Sequence, residues 1–372
     1  MLIFQYVFMY KYITKLDWFL IAPTFLLTVF GLIAIYSLSL GDSSNVLNFY
    51  NRQAIFLGIS VCVFFVVSFL DYSIWKNYAG IFYLGSVFLL ILVFVVGKTT
   101  NGAVSWFRLG FFNFQPVELV KISLILLFAR YFSQIETSKV SWKHIYTSFI
   151  YAAIPTFLVI LQPDMGSAMV LVAVWLGMIF LTGMRLWQIT GFLLGGILIA
   201  AISWFFVLHD YQKQRVVTFL NPAQDALNSG YNVIQATIAV GSGGFSGMGI
   251  GRGSQSQLNF IPERHTDFIF ATIAEESGFT GVSLILFFFG LIFFRMKNII
   301  NKASDKFGRL VVSGVVITIF FQVWINIGMN IGLVPVTGIS LPFLSYGGSF
   351  LIVSMFLVGI TQSIWANRKR FY

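Results

Sequence analysis

The sequence predicts an all-α polytopic membrane protein with about ten transmembrane helices. Of its 372 residues, 58% are hydrophobic and only 10% are charged, whereas a soluble domain carries roughly 25% charged residues. The mean hydropathy is +0.86, and a bilayer core needs about 20 apolar residues per helix. Ten stretches suit this length, at 17–40, 53–70, 73–97, 116–133, 144–162, 165–184, 186–208, 268–294, 308–332 and 346–366.

The basic residues predict how these helices are oriented. Ten spans place both termini on the same side of the membrane. Fifteen of the 23 Lys and Arg residues fall on that side, namely Lys11, Lys15, Lys76, Arg130, Lys139, Lys143, Arg185, Arg295, Lys297, Lys302, Lys306, Arg309, Arg368, Lys369 and Arg370. Because cytoplasmic loops are enriched in Lys and Arg, we expect both termini to be cytoplasmic. The loops 41–52, 98–115, 163–164, 209–267 and 333–345 then face outward.

The segment 209–267 is the longest polar stretch, and it is predicted to be one large extracytoplasmic loop between the seventh and eighth helices. Its apolar and polar residues between Tyr231 and Val240 are spaced as in a short amphipathic helix at the membrane surface. A glycine-rich run follows that helix. We interpret these glycines as turns and close backbone packing.

The end of this loop carries the most reactive side chains. Glu263, Arg264, His265 and Asp267 all lie where the loop meets the eighth span. Partial desolvation by the following Phe268 would raise the pKa of Asp267 and make it a better base. The alternative is that Asp267 only caps the helix, and we interpret His265 as a packing residue.

A second candidate pair lies at the start of the fourth span. Glu118 and Lys121 are three residues apart, so they project from the same face of a helix. Ionisable residues within a membrane are costly and are functional candidates by default. They either neutralise each other so that the helix can insert, or leave Lys121 available to attract a pyrophosphate.

Three further outward segments contribute candidate residues. Asp164 lies at a tight turn, where it either caps a helix or forms a polar wall of an outward cavity. Arg215 is suited to bidentate phosphate contact. The segment Ser345–Ser349 interrupts an apolar stretch and is typical of a re-entrant or cavity-lining loop.

Several functional classes are excluded. The net charge is +10, but no soluble basic domain is present to bind nucleic acid. Three His and one Cys do not provide a usual structural zinc site. Gly97-Lys98-Thr99 is not a P-loop, because Leu92 occupies the position of the required first glycine.

Four blocks in this order resemble the signature of the SEDS (shape, elongation, division and sporulation) family. They are Asn113–Lys121 (NFQPVELVK), Gln162–Ser167 (QPDMGS), Ile261–Phe279 (IPERHTDFIFATIAEESGF) and Ser345–Ser349 (SYGGS). His209–Arg215, Gly251–Leu258 and the Arg264 position are closer to the elongation members than to the division members. Val117 departs from the Ser that is frequent in the family.

The resemblance implies a single integral membrane SEDS-type domain over residues 1–372, in the bacterial cytoplasmic (inner) membrane, with an active site that faces outward. It implies a peptidoglycan glycosyltransferase that polymerises lipid II during cell elongation and so acts in cell-wall synthesis and cell shape. It also implies a divalent cation (Mg or Mn) and, as partners, a class B penicillin-binding protein transpeptidase and the elongation machinery.

Site residues follow from the same resemblance. Asp267 matches the catalytic aspartate and is a possible metal ligand, and other residues match substrate-binding or supporting positions or lie beside them. These are Lys121, Glu118, Asp164, Arg52, Arg215, Glu263, Arg264 and Ser345. Two other functions stay open at this point: a lipid II flippase, which ten spans and an interrupted helix also suit, and a non-enzymatic scaffold for the transpeptidase.

Overall fold

Ten long helices dominate the described residues, and they coincide with the ten stretches that the sequence predicts as spans. The structure is a computed structural model that describes residues 15–40, 46–100, 103–109, 112–135, 141–206, 213, 217–219 and 229–368. The long helices are α1 (Trp18–Leu40), α2 (Val46–Phe69), α3 (Tyr72–Val96), α4 (Pro116–Ser133), α5 (Trp142–Leu161), α6 (Met165–Leu181), α7 (Leu186–Phe206), α10 (Ile269–Lys302), α11 (Lys306–Asn330) and α12 (Gly348–Ala366). Seven of them are long and apolar enough to cross a membrane.

Two shorter helices lie within the large loop. The predicted amphipathic helix is present as α8 (Ser229–Ser242), and a single turn, α9 (Ser254–Gln257), follows the glycine-rich run. The segment 209–267 is therefore partly helical in the residues that the structure describes.

The predicted outward loop 98–115 contains a small sheet between α3 and α4, to which the sequence assigns no secondary structure. Strands β1 (Lys98–Thr100), β2 (Ala103–Leu109) and β3 (Phe112–Phe114) form an antiparallel sheet in that order. Lys98 pairs with Trp106, and Phe107 pairs with Phe114. The sheet leads directly into Pro116, the first residue of α4, where proline is favoured because no backbone N–H is needed.

The centre of the bundle consists of α4, α11 and α12. Nearly every residue of α12 is buried, whereas α3 and α5 expose large apolar side chains such as Phe88 and Phe157. Exposed apolar side chains on the outer helices fit a lipid-facing surface, since lipid is as apolar as the side chains themselves.

The two ends of the bundle are distinct. At one end, Asp17 forms an ion pair with Arg295 (2.5 Å), Tyr72 donates to Asp305, and Lys306 donates to the Ile135 carbonyl. These residues lie in or beside the regions that the sequence assigns to the cytoplasm. At the other end, the sheet, the turns at 262–268 and the loop 331–347 come together around a polar cavity.

Helix α10 is broken near its start, which corrects the expectation of one continuous span over 268–294. Gly278 has φ 62° and ψ −162°, so the segment 269–277 is separate from 279–302. A Cβ at Gly278 would lie 2.3 Å from the backbone nitrogen of Gly247. Only glycine fits this conformation and this close approach.

Candidate active site

A cavity of about 520 Å³ lies at the end of the bundle that the sequence assigns to the outside. Its walls come from β2 and β3, the starts of α4, α6 and α12, the turns at 262–268 and the loop 337–340. Among the predicted site residues, the cavity brings together Arg52, Glu118, Lys121, Asp164, Glu263 and Asp267. Residues more than 200 positions apart in sequence therefore share one space.

The backbone around Asp267 is held at three successive carbonyls. Asn326 and Asn330 donate to the Asp267 carbonyl (2.9 and 3.1 Å), Ser345 donates to the Thr266 carbonyl (2.7 Å), and the Tyr346 N–H donates to the His265 carbonyl (2.8 Å). These bonds fix the backbone from which the Asp267 side chain projects into the cavity.

The carboxylate of Asp267 is not a helix cap. Helix α10 begins at Ile269, and its N-cap is Phe268, with no side-chain capping bond. Residues 262–268 form turns rather than helix, and Glu263 has φ 49°, so Glu263 and Asp267 are not one helical turn apart. Gly338 lies beside the carboxylate, since a Cβ on this glycine would be 3.5 Å from Asp267 Oδ2, an ordinary contact distance.

Glu118 and Lys121 form a buried ion pair on the first turns of α4. Lys121 Nζ lies 2.6 Å from Glu118 Oε1, and both side chains are almost fully buried. Glu118 Oε2 has no hydrogen-bond partner among the described residues. The Lys121 ammonium also lies 5.4 Å from the centre of the Phe350 ring. Within the part of the chain that the structure describes, Lys121 therefore pairs with one oxygen of Glu118 and leaves the other oxygen without a donor.

Asp164 has both of the roles that the sequence left open. Its Oδ1 accepts from the Ser167 N–H (2.9 Å) and caps α6, while its Oδ2 accepts from Gln115 Nε2 (3.0 Å) beside the cavity. Gln115 directly precedes α4. The two bonds of Asp164 therefore join the starts of α4 and α6.

The rim of the cavity is aromatic and charged. His265 stacks on Phe49 (4.7 Å between ring centres) and meets Tyr346 edge-on. Burial lowers the pKa of His265, which favours its neutral form. Burial also raises the pKa of Tyr346, and a hydrogen bond from Arg52 opposes that rise. Glu263 is exposed and accepts from Thr266 (3.2 Å).

Three predicted site residues have other positions. Arg264 is buried and donates to the carbonyls of Ser256 and Gln257, so it holds α9 in place. Ser345 is buried, and its hydroxyl accepts from the Leu341 N–H (2.8 Å), so it supports the backbone near Asp267 from behind the cavity wall. Arg215 lies outside the described residues.

Sequence reasoning missed the side chains that α11 contributes. Gln322, Asn326 and Asn330 are each four residues apart, so they lie on one face of the helix. Asn326 and Asn330 hold Asp267, and Gln322 lines the cavity. Three amide side chains at this spacing in an apolar helix are a signal that sequence inspection can find.

The site combines a carboxylate, an ammonium and a guanidinium in a polar cavity at one end of an apolar bundle. This arrangement suits a substrate with an anionic head and an apolar tail, because the charged head meets the cavity while the tail stays in lipid. No group of three or more His, Cys, Asp or Glu side chains suited to a metal occurs within the described ranges. Asp267 together with phosphate oxygens fits Mg²⁺, which usually binds one or two carboxylates plus substrate phosphates.

The fold and the site define a multi-pass membrane protein with a polar, charged cavity at one end of its helical bundle. The family model described as "Cell cycle protein" (FtsW, RodA, SpoVE) matches residues 17–370. The chain belongs to this family, the SEDS family, as its four sequence blocks predicted.

Individual relatives are similar to this chain over more than nine-tenths of its length. The chain is 38% identical over 351 residues to the peptidoglycan glycosyltransferase MrdB of Escherichia coli, covering 93% of this chain and 94% of the relative. It is 37% identical to stage V sporulation protein E of Bacillus subtilis, covering 94% of this chain and 97% of the relative.

Solved structures match equally widely. A chain from a study of the structural coordination of polymerization and crosslinking by a peptidoglycan synthase complex has a TM-score of 0.80 at 32% identity, covering 94% of this chain and 97% of the other. The rod shape determining protein RodA of Thermus thermophilus has a TM-score of 0.71 at 28% identity, covering 96% and 98%.

Proposed function

We propose that the protein is a peptidoglycan glycosyltransferase that polymerises lipid II into glycan strands during cell elongation, with Asp267 as the general base. The observation that carries this proposal is the position of Asp267. Its backbone is fixed by Asn326, Asn330 and Ser345, while its side chain lines a polar cavity together with Lys121 and Arg52. The relatives named peptidoglycan glycosyltransferase support the substrate class.

The reaction places one demand on a carboxylate. The acceptor hydroxyl attacks the anomeric carbon of the donor, a new C–O bond forms, and the bond to the pyrophosphate breaks with its electron pair. Asp267 takes the proton of the acceptor hydroxyl as it attacks. Attack from the face opposite the pyrophosphate converts an α-linked donor into a β-linked product. The leaving group is already a stabilised anion, so a second carboxyl acting as acid is not needed, unlike in most glycosidases.

The leaving pyrophosphate does require positive charge. Lys121 and Arg52 both line the cavity and stabilise the negative charge that develops on the pyrophosphate. The sequence adds Arg215 as a further candidate. A bound Mg²⁺ or Mn²⁺, with Asp267 as its protein ligand, would supply additional charge neutralisation.

The cellular setting follows from the same proposal. The chain lies in the bacterial cytoplasmic membrane. Its cavity faces outward, and the basic loops at the opposite end of the bundle remain in the cytoplasm. A class B penicillin-binding protein that cross-links the new strands is the expected partner, together with the elongation machinery. The similar chain in a peptidoglycan synthase complex supports this partner.

A lipid II flippase is the main alternative, and a non-enzymatic scaffold is the third. Transport requires charged groups that are accessible in turn from both ends of the bundle. The charged cavity residues lie at one end, and the opposite end is tied by the Asp17–Arg295 pair. A scaffold leaves the buried Glu118–Lys121 pair and Asp267 without a role. Both observations favour the transferase.

The test is polymerisation of purified lipid II by the purified protein in detergent, with and without Mg²⁺ or Mn²⁺. We expect wild type to form glycan polymer and Asp267→Asn to polymerise about 10²–10⁴-fold more slowly, the range for loss of a general base. Asp71→Asn is the matched control, because Asp71 is an exposed helix cap at the opposite end of the bundle. An Asp267→Asn protein with the wild-type rate contradicts the assigned base. A folded wild type that forms no polymer contradicts the transferase.

A further inference from the structure

One polar side chain on the cavity wall forms no hydrogen bond with the described residues. Gln322 is 4% exposed and lines the cavity, yet its amide forms no hydrogen bond with any residue that the structure describes. Asn326 and Asn330, on the same face of α11, both donate to protein carbonyls. The Gln322 amide is not among the buried polar atoms without a partner, so it opens into the cavity, where a ligand or a water can hydrogen-bond it.

The packing of α11 on α4 gives the depth of Gln322 in the bundle. The two helices run in opposite directions, since the first residue of α11, Lys306, donates to the carbonyl of Ile135, two residues beyond the end of α4. A Cβ on Gly314 would lie 2.7 Å from the Ile125 side chain, so these two residues are level. At about 1.5 Å per residue, Gln322 rises about 12 Å from that level and Glu118 about 11 Å. Gln322 and Glu118 therefore lie at the same depth.

Gln322 also has a defined relation to the proposed base. It precedes Asn326 by one helical turn, and Asn326 holds the Asp267 carbonyl. Gln322 therefore lies about 6 Å further into the bundle than Asn326. The inner end of the cavity contains two groups with unused hydrogen-bonding capacity, the Gln322 amide and Glu118 Oε2, beside the Lys121 ammonium.

The chemistry of this inner end identifies what it binds. A phosphate offers only acceptors, and the unpartnered oxygen of Glu118 would repel it. A sugar hydroxyl or acetamido group offers one donor and one acceptor. Its donor suits Glu118 Oε2, and its acceptor suits the amide N–H of Gln322, which leaves the Lys121 ammonium to the pyrophosphate.

We propose that Gln322 is a substrate-binding residue that, with Glu118 Oε2, hydrogen-bonds a hydroxyl or acetamido group of the lipid-linked saccharide rather than its pyrophosphate. This assignment rests on the proposed function, because the saccharide is that of the lipid II substrate. In this assignment the inner end of the cavity binds the saccharide, whereas Asp267 acts as the base about one helical turn nearer the outside.

The stability of the ligand-free protein provides the first test. Gln322→Met keeps the side-chain volume and removes an unpartnered amide, so we expect an unchanged or higher Tm. Asn326→Leu is the matched control on the same helix face. It removes a donor from the Asp267 and Ile339 carbonyls, so its Tm should fall. Gln322→Leu serves as a second apolar variant. A lower Tm for both apolar variants of Gln322 would mean that the amide is structural, held for example by water, and would overturn the assignment.

Ligand binding provides the second test. We expect lipid II to raise the Tm of wild type, and Gln322→Met to bind lipid II about five- to thirtyfold more weakly, as when one or two neutral hydrogen bonds are lost. Undecaprenyl pyrophosphate, which lacks the sugar, should bind both proteins equally. Equal lipid II binding by the two proteins, or a parallel loss for both lipids, overturns the saccharide contact.

Polymerisation measured in parallel separates this assignment from the proposed function. A wild type that binds lipid II but forms no polymer contradicts the transferase, while the Tm comparison still decides whether Gln322 contacts the sugar. A wild type that forms polymer, alongside a Gln322→Met variant with the same KM, contradicts the Gln322 assignment alone.

Discussion

Two groups of buried carboxylates in this protein have opposite hydrogen-bonding states. Glu275 accepts from the Gln255 and Ser256 N–H groups (2.8 and 2.9 Å), one carboxylate oxygen for each. Glu276 accepts from Ser37, Gly251 and Gln257, all at Oε1, and its Oε2 is not among the buried atoms without a partner. Glu118, by contrast, leaves Oε2 without a partner among the described residues. All three are acidic residues in apolar helices, and only their surroundings distinguish them.

The difference separates a structural acid from one that is available to a substrate. Glu275 and Glu276 fix residues 251–257 against α10. Glu118 faces the cavity with capacity to spare. The rule that intramembrane ionisable residues are functional candidates is therefore sharpened by asking whether a buried carboxylate oxygen lacks a donor, as Glu118 Oε2 does.

The largest effect on stability is expected from breaking the Glu118–Lys121 ion pair. Lys121→Met leaves Glu118 as a buried acid without its counter-ion, so the free energy of unfolding should fall by about 3–5 kcal/mol. The double variant Glu118→Gln/Lys121→Met removes both charges, and we expect it to recover most of that stability. It should not recover polymerisation, because the positive charge for the pyrophosphate is missing.

The complete experiment measures thermal unfolding and lipid II polymerisation of Glu118→Gln, Lys121→Met and the double variant. Additive losses of stability in the double variant would contradict the close coupling of the pair. A double variant with wild-type activity would show that the pair is needed only for folding.

A smaller effect is expected at Glu275, whose two carboxylate oxygens each accept a hydrogen bond. Glu275→Gln replaces one acceptor oxygen by an NH₂ group that faces a backbone N–H, so we expect a loss of about 1–3 kcal/mol. The KM for lipid II should stay unchanged in the protein that remains folded. Tm and KM measured together check this, and a raised KM at unchanged Tm would place Glu275 in the reactive site after all.

The smallest effect concerns the rim, and its sign depends on pH. Because burial lowers the pKa of His265 in the folded protein, the unfolded chain binds the proton more readily. Stability from this residue is present above the unfolded pKa of about 6.5 and declines as the pH falls below it. His265→Phe keeps the ring against Phe49 and removes the titration. The Tm of wild type should fall more between pH 8 and pH 5.5 than that of the variant, and equal slopes would contradict the prediction.

The sequence predicts the bundle better than the details that build the site. Long apolar runs mark all ten long helices, and even Pro116 marks the start of α4. The sheet at 98–114 was missed because its strands are only three to seven residues long and lie between two membrane spans. The break at Gly278 was missed because a single glycine in an apolar run does not show its φ angle.

Individual site residues show the same limit. The blocks that identify the family contain Asp267, Glu118, Lys121 and Asp164, and the structure brings all four to one cavity. Their neighbours in space are not their neighbours in sequence. Arg264 is three residues from Asp267 but points to α9, whereas Gln322 is more than fifty residues away and lines the cavity.

The bonds from Glu275 and Glu276 have a consequence for how the outer segment moves. Met248 and Gly249 also donate to the carbonyls of these two acids, and the Phe279 N–H donates to Gly244 across the Gly278 break. The segment 243–257 therefore has no single weak point at which it can open. Its amide protons should exchange with solvent as one cooperative unit and slowly, although a stretch so rich in glycine would ordinarily be expected to exchange fast.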